Sequence, residues 1–168
     1  MKASYYDFIL KRFSVRHYLA VDPESGKSAA RDILSDFPEQ GSIDVIFSIN
    51  DGGGYEIVEA LERAGRNEIF FASVDGDPRA VEKIKQNSIL KIDSAQFCSE
   101  LGAEAIKAAY MILINHQIGK KILLPVFPIT RDTVHKYSGW TGPRPGPFKK
   151  TWSSPKPEWT GEIRYLDE

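Results

Sequence analysis

The sequence predicts an α/β protein with a doubly wound parallel sheet, and three observations carry that prediction. Asp44-Val45-Ile46-Phe47-Ser48-Ile49-Asn50-Asp51 and Ile69-Phe70-Phe71-Ala72-Ser73-Val74-Asp75-Gly76 are apolar, β-branched and aromatic runs of strand length. Each ends abruptly in polar, glycine-punctuated sequence. Between them, Ile57, Val58, Leu61 and Ala64 recur at helical spacing over Tyr55 to Ala64, with Gly65 as a stop. Strand, helix, strand is a parallel crossover unit, and strands and helices go on alternating along the chain.

The elements follow in order. Tyr5, Phe8, Ile9 and Phe13 share one face of a short amphipathic helix over about Ala3 to Arg12. Val15, His17, Leu19 and Val21 alternate with polar or smaller residues, as in a strand. Asp22-Pro23 reads as an N-cap followed by proline at the first helical position, opening a helix to about Asp36 with Ala29, Ala30, Ile33, Leu34 and Phe37 inward. The central unit comes next. Asp77-Pro78 repeats the cap-plus-proline start, and that helix stops at Asn87. Ile89 to Gln96 is the next strand, and Ser99 to about Gln117 a long alanine-rich helix. Ile122 to Ile129 is extended, but Pro125 and Pro128 bar it from a central strand position. From Ser138 the chain is rich in Trp, Pro and Lys with no period, as an extended tail lying on a surface.

Size and charge narrow the function. At 168 residues the chain holds one domain with a real core. A net charge of -1 gives no electrostatic reason to expect nucleic acid or an anionic membrane as partner. The longest apolar run, Ala108 to Ile114, is too short to span a bilayer, so no direct membrane insertion is expected. Met1-Lys2 leads into Tyr5, Tyr6 and Asp7 rather than a long apolar stretch, so the sequence as written predicts no export signal. The single cysteine, Cys98, excludes an internal disulfide and is expected as a buried small residue at a helix start.

Several motifs fail on inspection. Ser25-Gly26-Lys27-Ser28 ends like a phosphate-binding loop, but Val21 stands where the loop needs glycine, and the tetrapeptide falls inside a predicted helix. Gly52-Gly53-Gly54 follows a strand and opens a helix, yet Ile57 occupies the sixth place of the dinucleotide-binding pattern. These glycines read instead as a helix start that lets backbone amides approach a ligand. His17, His116 and His135 are scattered without acidic or cysteine partners at ligand spacing, so no metal and no cofactor is expected. Ser48 and Ser73 lack a nucleophile elbow. The sequence gives an enzyme no machinery.

Asn50, Asp75 and Gln96 are different. All end consecutive predicted strands, so their side chains can converge at the carboxyl edge of the sheet, where open α/β folds hold ligands. Two amides and an acceptor-only carboxylate suit hydroxyl groups, which both give and accept. Spacing alone leaves open that Asn50 or Asp75 merely caps the following helix.

The run Asp44 to Asp51, then Ala60-Leu61, Ala64-Gly65, Val74-Asp75-Gly76-Asp77-Pro78 and Ala95-Gln96, resembles the periplasmic sugar-binding proteins of ABC importers, in particular the ribose- and galactose-binding type. Gly119 to Val126 and Thr130 to Val134 match that family's closing segment. The resemblance covers roughly residues 5 to 137. It implies a periplasmic binding protein-like type I fold in which the positions of Asn50, Asp75 and Gln96 hydrogen-bond the sugar from the second lobe. It further implies periplasmic localisation and, for the full-length family, an ABC permease as partner. The same resemblance finds no counterpart here for the first lobe, a second-lobe strand or the start of its helix. Residues 1–96 are then a partial C-terminal ligand-binding lobe, 97–137 a crossover helix and hinge strand that would pack on the absent lobe, and 138–168 the tail. Binding of a sugar or polyol is expected to be weak or absent in this chain alone, and the uncovered surface open to self-association.

Two rivals share the fold class. The effector-binding domain of a lac-repressor-like transcription regulator would carry a helix-turn-helix ahead of it, which Met1 to Arg12 does not resemble. A flavodoxin-like enzyme or receiver domain would need a clustered acidic pocket with a lysine at a late strand end, of which Asp51, Asp75 and Asp77 supply only part.

Overall fold

A computed structural model of the chain describes residues 14–167. The helix expected over Ala3 to Arg12 lies outside the described residues. Helix α1 (Pro23–Asp36) begins as its sequence dictates: Asp22 accepts from Ser25 N at 2.8 Å, Ser25 reciprocates toward the cap backbone, and Pro23 needs no amide partner. Strand β1 (Val45–Phe47) leads into α2 (Asp51–Arg63), then β2 (Phe70–Asp75), α3 (Pro78–Lys85), β3 (Leu90–Ala95) and α4 (Cys98–Leu113). The β4 (Lys121–Leu123) and β5 (Phe127–Ile129) strands follow, then a 3-10 turn, β6 (Phe148–Lys149), β7 (Glu158–Trp159) and β8 (Arg164–Leu166).

The main sheet runs β1-β2-β3-β5. Its first three strands are parallel, and β5 joins antiparallel at the edge, where Pro128 faces Ser94 without breaking a central ladder. The sheet is therefore mixed, with the parallel crossover unit at its centre. One face is covered by helices: Ile57, Val58 and Leu61 of α2 and Ala80 and Ile84 of α3 bury Phe71 and Leu90. The opposite face is open, with Val45 60 %, Phe47 65 % and Ile49 65 % exposed.

The strand expected at Val15 to Val21 does not form. These residues have no ladder partner, and Val15, Leu19 and Val21 are exposed. A strand is stabilised by cross-strand pairing. Among the described residues β1 pairs only with β2, so no strand ladder forms along residues 15–21. Tyr18 and Ala20 instead lean on the core beside α1 and α2.

Residues 138–167 contribute structure of their own. Strands β6 and β7 pair with each other, and β8 pairs with β4. Trp159 is buried edge-on against Phe127 at 5.3 Å, in a cluster with Phe97, Tyr137 and Phe148. Its indole nitrogen donates to Val126 O at 2.8 Å.

Candidate ligand-binding site

Parallel pairing sets the carboxyl ends of β1, β2 and β3 side by side, with Phe47 opposite Ala72 and Asp75 opposite Ala95. Asp75 closes β2 and Gln96 directly follows β3. The Gln96 Nε2 donates to Asp75 Oδ1 at 2.8 Å, and its backbone amide donates to Asp75 O at 3.1 Å. Both side chains are half-buried at the rim. Asp75 also carries a φ of 129°. A non-glycine residue rarely adopts that conformation, and such strain persists only where surrounding contacts over-determine it.

Asn50 stands on the same rim but turns its amide elsewhere. Its Oδ1 caps α2 by accepting from Gly53 N at 3.1 Å, and Nδ2 donates to Val21 O at 2.9 Å. The capping role that spacing left open is thus realised at Asn50. Its neighbour Asp51 sends a long backbone contact, 3.4 Å, to Asp75 Oδ2. The structure joins Asp75 to Gln96 directly and brings Asn50 to the rim one residue away from that contact.

Two residues that the sequence reading passed over complete the rim. Trp140 Nε1 donates to Asp75 O at 2.7 Å, and the Tyr137 hydroxyl donates to Gln96 O at 3.3 Å. Ser99 N in turn donates to Trp140 O at 3.2 Å. Trp140 lies in periodless sequence and Tyr137 just before it, at the end of the 3-10 turn, and no spacing places either near the strands. Burial pushes the Tyr137 phenol well above its ordinary range.

Behind the rim is a buried polar row. Asp51 is 1 % and Asp93 0 % exposed, and their carboxyls lie near enough that each acts on the other's ionisation. Asp77 N donates to Asp51 Oδ2 at 2.8 Å, and Gly76 N sits 3.2 Å from both oxygens of Asp93. Burial, followed by the Asp51 charge beside it, pushes Asp93 up to about 9. Burial raises Asp51 as well. The only sequence signal for Asp93 is an acidic residue inside a predicted strand; the register that sets it opposite Ser73 appears in the structure.

The glycine triplet packs closely against its neighbours. A Cβ on Gly53 would stand 2.1 Å from Ala20 O, and one on Gly26 2.4 Å from Gly53 O, so α1, α2 and residue 20 meet backbone to backbone. Ser25 to Ser28 lies inside α1, as expected. Cys98 is exposed rather than buried, because no described element covers that side of α4, which has no buried residue at all. Among the described residues no group of three His, Cys, Asp or Glu side chains is arranged to hold a metal. No helix among them is long and apolar enough to cross a membrane. An open cavity of about 310 Å³, lined by Glu62, Asn67, Gln86 and Ser88 among others, lies at the amino edge of the sheet, away from the rim.

Comparison with known proteins places this geometry. No curated protein matches the chain. Among solved structures, an ABC transporter solute-binding protein from Agrobacterium vitis with bound allitol is 28 % identical, with a TM-score of 0.65 over 73 % of this chain and 42 % of its own. An ABC sugar transporter subunit from Rhodobacter sphaeroides is 25 % identical, with a TM-score of 0.64 over 76 % of this chain and 49 % of its own. A solute-binding protein from Bacillus halodurans with bound myo-inositol, 24 % identical at a TM-score of 0.61 over 69 % of this chain and 39 % of its own, shares the fold. The chain therefore spans less than half the length of these solved relatives. The model of the periplasmic binding protein domain matches residues 2–117, more than half of the sequence. On that match, and on a sheet shared with solute-binding and sugar-transport subunits, the chain belongs to the periplasmic binding protein domain family.

Proposed function

We propose that this chain is a solute-binding component of an ABC import system, holding a sugar or related polyol at the carboxyl edge of its sheet through Asn50, Asp75 and Gln96. The Asp75–Gln96 contact at 2.8 Å is the observation that carries the reading. Two half-buried polar groups that satisfy each other at a rim are ready to exchange that bond for ligand hydroxyls. Asn50 joins them by trading Val21 O for a hydroxyl through Nδ2, while Oδ1 goes on capping the helix. Relatives crystallised with allitol and myo-inositol support a solute of that class: compact, neutral, rich in hydroxyls.

Residues 1–96 act in this reading as a partial ligand-binding lobe, 97–137 as a crossover toward a first lobe, and 138–168 as an added tail. Binding by residues 1–168 by themselves is weak, since a sugar site buries most of its ligand and these residues supply a rim on one side only. The reading implies a periplasmic setting, a permease as the eventual partner, and binding without chemical conversion of the solute. A lac-repressor-like effector domain is the second reading; the polyol-bound transport relatives favour the first.

The test is an NMR titration of the chain with allitol, D-allose and myo-inositol to high millimolar concentration. Shifts should gather at Asn50, Asp75 and Gln96, and Asp75→Ala should abolish them. Unchanged affinity in Asp75→Ala, or shifts confined to another face, would refute the site.

A further inference from the structure

The turn after β2 is held from behind more firmly than a ligand rim requires. Gly76 N points at both Asp93 oxygens and Asp77 N at Asp51 Oδ2, so consecutive amides are anchored on two buried carboxyls. In front, Trp140 Nε1 and Gln96 N both donate to Asp75 O. Between the two sets lies the left-handed backbone of Asp75. Together they over-determine a conformation that an aspartate would otherwise leave.

The rear pair works only if it carries a proton. Asp51 Oδ1 and the Ser73 hydroxyl are both buried with no hydrogen-bond partner among the described residues. Nearly all buried polar atoms are hydrogen-bonded. A proton held between Asp93 and Asp51 supplies the missing donor to Oδ1. The titratable groups acting on the pair are Asp75 at the end of β2 and Tyr137 after the 3-10 turn; among the described residues no lysine or arginine forms an ion pair with either carboxyl. Two bare carboxylates at that depth would repel each other with only the Gly76 and Asp77 amides to offset them.

We propose that Asp51 and Asp93 form a proton-sharing acid pair that positions the Asp75–Asp77 turn, so that this pair, which need not touch the ligand, sets how Asp75 presents its carboxylate at the rim. The inference deepens the sugar-binding reading and rests on it for its functional meaning; the acid pair itself is testable without ligand. Removing the proton sets the two carboxylates against each other, loosens the hold on Gly76 and Asp77, and frees Asp75 to relax from its strained backbone.

The experiment follows the Asp93 carboxyl carbon and the Trp140 indole N–H by NMR from pH 5 to 10, in the wild-type chain and in Asp93→Asn. Asparagine keeps a donor toward Asp51 and an acceptor for Gly76 N without a titratable proton. In the wild type both signals should move together through one transition far above the usual carboxylate range. In Asp93→Asn the indole signal should stay flat. An Asp93 carbon that titrates near pH 4, or an indole transition that persists in Asp93→Asn, would overturn the acid pair. Polyol affinity is then read at pH 7 and pH 10. It should fall at the higher pH in the wild type, hold in Asp93→Asn, and drop about tenfold or more in Asp93→Ala, the loss expected for an anchor to a charged group. Unchanged affinity in a folded Asp93→Ala would refute the positioning role. An intact acid pair with no polyol binding at any pH would instead refute the sugar reading and leave the pair standing as a structural clamp.

Discussion

At the scale of single residues, Asp93 sets the pH dependence of stability. Its folded-state pKa is pushed up to about 9 by burial first and by Asp51 second. In the unfolded chain it returns to about 3.9, the ordinary aspartate value. Between those values the native state binds more protons than the unfolded one, so stability falls as pH rises. The contribution is full below about pH 4 and is lost as pH climbs through the folded value. The melting temperature should therefore decline from pH 5 to 8 more steeply in the wild type than in Asp93→Asn; equal slopes in calorimetry would count against the neutral Asp93. Much of the rim was legible in the sequence at this scale, because a polar residue that ends an apolar run lands at a sheet edge. Asp75 and Gln96 follow from that rule. Asn50 reaches the same edge, yet spends one end of its amide on the cap that Asn so often makes. Trp140 and Tyr137 were illegible, since their place depends on how a loop docks and no period records that.

At the scale of elements, close approach decides more than propensity does. Alanine normally improves a helix interior over glycine by about 0.5–1 kcal/mol. At Gly53 a methyl would meet the backbone of Ala20 at 2.1 Å. Gly53→Ala should therefore lose roughly 1–3 kcal/mol, the cost of overpacking. Gly102 in α4 has nothing within 4 Å of an added Cβ. There Gly102→Ala should gain about 0.5–1 kcal/mol. Urea unfolding of the two variants separates the cases. The same contrast explains which elements could be read ahead. Helices α1 and α3 start where Asp22-Pro23 and Asp77-Pro78 announce them, because capping is local chemistry. The strand expected at Val15 to Val21 has the right alternation and still fails, because a strand depends on a neighbour that its own sequence does not supply.

At the scale of the whole molecule, the described residues leave two apolar surfaces exposed. One is the open sheet face of Val45, Phe47 and Ile49; the other is α4, where Ile106 is 74 % and Leu113 80 % exposed. Helix α4 is tethered mostly by polar contacts, Arg144 to Glu100 at 2.7 Å and Tyr165 to Glu104 at 2.8 Å, which leave its apolar side free. Contiguous apolar surface of this kind favours association. Sedimentation velocity should show concentration-dependent self-association, reduced by Ile106→Lys with Leu113→Lys. A single monomeric species across the loading range would mean these surfaces are too dispersed to act as an interface.

The exposed position of Cys98 has a practical side. The chain contains one cysteine, and it stands two residues after Gln96. A thiol-reactive dye would attach at one place only, beside the rim, with no cysteine to remove beforehand. The proposed solute capture and turn release would then be read as a change in emitted light from an unaltered sequence.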